Sequence, residues 1–155
     1  QGVSSAASDV YKRQIIQSLW DATDTNTWST LSNGLEGRID PYEMLYIGSI
    51  GDVQISNIST SRALRNADAS ILSSSSILPY GMPVVDGGES ATGNIGVYFD
   101  GGFSHAPVEN LLGQEPHPAH NWVAGVGAAH SMAFGYLYNG FVDDYCEGSC
   151  IYDAN

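Results

Sequence analysis

Along this chain the apolar positions fall into short runs rather than long helical stripes. Met44–Ile50 and Val53–Ile58 are rich in β-formers and are separated by Gly51-Asp52, which predicts two strands with a tight turn or one bulged strand. Thr60 or Ser61 can cap a helix, because Ala63, Leu64, Ala67 and Ile71 recur at near-helical spacing. The serine run Ser73–Ser76 weakens that helix and Pro79 ends it. Asp86–Asn94 reads as a polar, glycine-containing loop, and Ile95–Phe99 as a compact strand running into Asp100-Gly101-Gly102. Pro107–Leu112 can open a short helix. Trp122–Gly127 reads as another buried strand, followed by a helix through Met132–Tyr138. Ile15–Leu35 has no clean period and predicts only a short helix or strand near its start. Strands alternating with helices predict an α/β fold with a mostly parallel sheet covered on both faces.

At 155 residues and 43% hydrophobic content, the chain has room for one domain with a real core. No run approaches the ~18 apolar residues that span a bilayer. The opening stands apart: Gln1–Gln14, QGVSSAASDVYKRQ, resembles a translated sequencing adaptor and is read as non-native. Setting it aside removes Lys12 and Arg13. Arg38, Arg62 and Arg65 then face sixteen acids, sharpening a net charge already at −12. Such an excess of carboxylates repels phosphate backbones, so nucleic acid is not an expected partner.

Cys146 and Cys150 are four apart around Gly148, which lets a small disulfide close; that would fit an oxidising, secreted or periplasmic setting. His117-Pro-Ala-His120, with His105 or His130, has ligand chemistry, but Pro116 and Pro118 mark a loop rather than one helical face. No metal and no cofactor are expected.

The stretch from Ala63 to Leu112 carries the most chemistry. A small-residue run Ala69–Pro79 is followed by Pro83-Val84, the loop at Asp86-Gly87, the strand Val97-Tyr98-Phe99, Asp100-Gly101-Gly102 and Ala106-Pro107-Val108. In that order these elements resemble the C-terminal part of the patatin-like phospholipase family. The resemblance implies a partial three-layer α/β/α sandwich, with residues 15–155 as the C-terminal part of one such domain. It implies a serine-dependent lipid acyl hydrolase whose Ser-Asp dyad is represented here by Asp100 alone, with Gly101, Gly102 and Pro107 shaping the site. The substrate would be a lipid or other acyl ester, met at a membrane surface through that substrate. A carboxylate at the tip of an apolar strand is held on a rigid element, whereas Asp86 sits in a polar loop. Three departures weaken the match: Leu78 is extra, Ser104-His105 replaces the usual Asn, and no Gly-x-Ser-x-Gly occurs.

Two other readings stay open. Ala129-His130-Ser131-Met132-Ala133 resembles the nucleophile elbow of α/β-hydrolases, with alanines at the outer glycine positions, so Ser131 is an alternative nucleophile. The plainer reading is a serine capping the next helix. The third is a secreted binding or structural module, whose late tyrosines Tyr136, Tyr138, Tyr145 and Tyr152 would form a contact surface.

Overall fold

The structure is a computed structural model and describes residues 5–21, 24–104 and 118–154. Its elements, in chain order, are α1 (Ser5–Asp21), α2 (Thr25–Thr30), β1 (Leu45–Ser49), α3 (Asn57–Asn66), β2 (Ser70–Leu72), β3 (Val84–Val85), β4 (Ile95–Phe99), α4 (Pro118–Trp122) and α5 (Gly127–Asn139). The four strands form one parallel sheet in the order β1-β4-β2-β3. The fold is α/β, as the alternation of elements predicts.

β4 explains the layering. All five of its residues are buried, so it is an inner strand with apolar contacts on both faces. Its odd positions, Ile95, Val97 and Phe99, pack with Ala129, Met132 and Tyr136 of α5. Tyr98 faces the other way, into a cluster with Leu64 and Ala67 at the end of α3 and with Ile71 of β2. Gly96 lies on that second face, where a Cβ would come within 2.8 Å of Leu64 and 2.9 Å of Ile71. Helices therefore cover both sides of the sheet.

At the carboxyl end of the sheet β2 and β4 part, and the C-terminal segment fills the gap. Cys150 donates its N–H to Ser74 O (2.7 Å) and accepts from Asp100 N (2.9 Å), while Tyr152 N–H donates to Asp100 O (2.8 Å). Tyr152 also stacks on Phe99, ring centroids 6.0 Å apart. The Cys146–Cys150 disulfide is formed and closes this strap on itself.

Several expected elements come out differently. Val53–Ile58 is not a strand: Asp52 and then Ser56 cap successive turns and lead the chain into α3. The helix expected to run through Ile71 stops at Asn66, because Asp68 takes φ +53, and Ser70–Leu72 becomes the buried strand β2. Trp122–Gly127 is helical, shared between α4, a 3-10 turn and the start of α5, rather than a strand. In a Gly/Ala-rich apolar run, period alone cannot separate a buried strand from a helix. β1, β4 and the helix through Met132–Tyr138 fall where the sequence puts them. The described side chains of α1, residues 9–20, are all exposed.

Candidate active site

β1 runs out through Ile50 into Gly51, whose φ of +82 turns the chain sharply. A Cβ there would lie 2.6 Å from Ser104 O, so the loops that follow β1 and β4 press against each other. Next comes Asp52, a buried carboxylate whose Oδ1 accepts the N–H groups of Gln54 (2.8 Å) and Ile55 (3.0 Å). Asn57, in the first turn of α3, reinforces this corner by donating to Ser49 O (2.7 Å) and accepting from Gly51 N (3.1 Å). One oxygen of Asp52 is thus fixed by backbone. Its other oxygen, Oδ2, is 2.9 Å from His120 Nδ1 on α4.

This contact sets the role of the imidazole. A carboxylate partner at Nδ1 makes that nitrogen the donor, so in the neutral ring Nε2 keeps the lone pair and can accept a proton. His120 is about a quarter exposed and Asp52 about a tenth, so the pair is sheltered but open on one side. That open side is a cavity of about 390 Å³ lined by both residues, by β1 and by α3. Tyr46 in its wall has its phenol pushed above the ordinary range by burial, with the Ser29 hydroxyl (2.7 Å) acting in the opposite direction. Asp24, at the start of α2, has its carboxyl held below the ordinary range by the backbone N–H and side-chain amide of Asn26.

No family model, curated protein or solved structure matches this chain. The site therefore rests on its own geometry.

Asp100 does sit at the carboxyl end of an inner parallel strand, half-buried. Its Oδ1 accepts the N–H of Gly102 (2.8 Å), a turn contact, and Gly102 takes φ +74. Gly101 is tightly enclosed, since a Cβ would fall 2.6 Å from the Phe103 ring and 2.9 Å from Trp122. Pro107 and the helix expected at Pro107–Leu112 lie outside the described residues, as do His105 and His117. Ser131 needs correcting: it lies inside α5, whose N-cap is Val126, and no strand leads into it. A nucleophile elbow requires a strand-to-helix turn, so Ser131 has neither that role nor a capping role. Among the described residues the ligand-type cluster is Asp144, Cys146 and Cys150, but the disulfide removes both thiolates. His130 turns its Nε2 to Ala124 O.

The sequence singled out His120 only as a candidate metal ligand and did not disclose Asp52 or the pairing of the two. Gly51-Asp52 reads as a turn and His120 as part of a proline-flanked loop; 68 positions separate the pair.

Proposed function

We propose that the chain carries the acid–base machinery of an acyl hydrolase, with His120 as general base and Asp52 as the residue that orients it. The observation supporting this is the 2.9 Å contact between Asp52 Oδ2 and His120 Nδ1 at the wall of a cavity, with Asp52 Oδ1 already tied to backbone. In this reading Nε2 takes the proton of an attacking hydroxyl, from water or a serine, as that oxygen bonds to the acyl carbon. The imidazolium that forms is stabilised by Asp52, and it returns the proton to the leaving group as the acyl bond breaks. Atoms and charges balance without a cofactor when water attacks; when a serine attacks, a water deprotonated by the same Nε2 must then cleave the acyl-serine ester and return the serine hydroxyl.

The test is hydrolysis of p-nitrophenyl butyrate by the full chain. His120→Ala should lower turnover by about 10²–10⁴-fold, the usual contribution of a general base, and Asp52→Asn should lower it strongly as well. Far-UV circular dichroism checks that each variant folds. A wild-type chain without turnover, or His120→Ala with undiminished turnover, removes the reading.

A second reading follows the patatin-like resemblance, in which Asp100 serves a serine directly and the substrate is a lipid ester. The observation favouring it is the place of Asp100 at the end of the inner parallel strand β4. The two readings separate cleanly: under the first the chain hydrolyses butyrate and Asp100→Asn leaves that intact, whereas under the second the chain, which carries only the Asp of the dyad, shows no hydrolysis of its own.

A further inference from the structure

The cavity beside His120 follows the outer side of β1. β1 is an outer strand, paired on one side with β4. Four consecutive residues, Tyr46, Ile47, Gly48 and Ser49, line the cavity. Successive strand residues point to opposite faces, so a cavity touching all of them lies along the edge of the strand. Asn57 and Thr60 of α3 form one wall, and His120 and Val123 form another.

Part of the backbone along this edge has no hydrogen-bond partner among the described residues. Ile95 N–H donates to Met44 O (2.9 Å) and Ile50 N–H to Phe99 O (2.8 Å), so the even-numbered groups of β1 face β4. A parallel ladder then turns Leu45, Ile47 and Ser49 outward. Asn57 takes the outward Ser49 carbonyl. The N–H and C=O of Ile47 and the N–H of Ser49 take no partner among the described residues. Nor does the edge carry the usual protection: Leu-Tyr-Ile-Gly-Ser contains no charge and no proline.

We propose that this groove receives an extended peptide, which adds a strand to β1 through the backbone of Ile47 and Ser49 and brings an acyl carbon to His120. The inference deepens the hydrolase reading, on which it rests, by naming the substrate class. The lining mixes polar groups of Asp24, Asn57, Ser59, Thr60 and His120 with apolar surface from Ile47, Ile55, Ala63 and Val123, so it can meet both the backbone and the side chains of an extended guest. Charge narrows the class further. Asp24 and Asp52 line the groove with no lysine or arginine among the lining residues, and the whole chain carries −12, so a basic peptide is favoured over an acidic one.

The test titrates the full chain with Ac-Val-Arg-Val-NH2, with the same peptide N-methylated at its central residue, and with Ac-Val-Glu-Val-NH2. Amide exchange is followed at Ile47 and Ser49. The basic peptide should protect both amides. N-methylation, which deletes a ladder donor, should weaken binding at least about fivefold. The acidic peptide should bind about fivefold more weakly, a gap that Asp24→Asn narrows. Equal binding of the N-methylated peptide, or no protection at millimolar peptide, overturns the proposal. Protection already present without peptide also overturns it: if independent of protein concentration, another part of the chain fills the groove; if it rises with concentration, a second copy does. Butyrate hydrolysis by the same samples reports separately on the Asp52–His120 reading, so either can fail alone.

Discussion

Ser74, Ser75 and Ser76 follow β2 where it leaves the sheet, and their polar groups take over the work of the ladder. Ser75 Oγ accepts the buried N–H of Tyr98 (2.9 Å), while Ser76 donates both its N–H (2.9 Å) and its Oγ–H (2.8 Å) to Tyr98 O. A run that would weaken a helix is here what lets β2 diverge without orphaning the central strand. Ser75→Ala should therefore cost about 1–3 kcal/mol, the penalty for a buried donor left unpaired, measured by urea unfolding. Ser73→Ala, at an exposed neighbour whose hydroxyl makes no hydrogen bond among the described residues, is the matched control and should stay within about 0.5 kcal/mol. Gly96 gives a second residue-scale expectation. A methyl there meets Leu64 and Ile71 at under 3 Å, so Gly96→Ala should destabilise by about 1–3 kcal/mol through overpacking, despite its small size.

At the scale of elements, α5 is coupled to the sheet through a phenol as well as through apolar contacts. Tyr136 is buried against β4 and donates its hydroxyl to Gly93 O (2.7 Å). Burial pushes its ionisation up to about 12, with the charge of Glu43 adding in the same direction. The sign follows from linkage. The neutral phenol is preferred in the folded state, so the stability it contributes is complete below the ordinary tyrosine value of 10 and is lost as pH rises from there towards about 12. Alkaline unfolding followed by circular dichroism should show this loss between those limits, with Tyr136→Phe showing a shallower decline. The same coupling explains how the tail of the chain was legible. The helix through Met132–Tyr138 has a partner face that the sheet supplies, and Gly140 ends it in the left-handed conformation at φ +75. Trp122–Gly127 was not legible as helix, because small and apolar residues satisfy either backbone until neighbours choose.

For the whole molecule, the parallel sheet gathers distant chain segments at its carboxyl end. The strap Cys150–Tyr152 bridges Ser74 and Asp100, and its anchor is a disulfide closing only a short loop. Reduction, or the double variant C146S/C150S, should lower stability by about 2 kcal/mol, since short loops return little entropy. Amide protection at Asp100 and Tyr152 should fall before protection at Val97, which lies in the centre of β4. Equal loss at all three would mean that the strap and the sheet unfold together. The Asp52–His120 site depends on the same gathering: β1 ends at one partner, α4 delivers the other, and neither element encodes the pairing.

The sequence by itself determined the class of fold, the strands β1 and β4, the final helix and the Cys146–Cys150 loop. Each is a local matter, of β-rich or helical runs bounded by glycine or acid, or of two thiols four positions apart. Only the tertiary structure decided the ends of the elements between them, the exclusion of Ser131 from an elbow, and the meeting of Asp52 with His120. Those outcomes depend on contacts across the sheet and between residues far apart in the chain. The energy of such contacts is fixed by which surfaces come together, and no local run of residues carries that information.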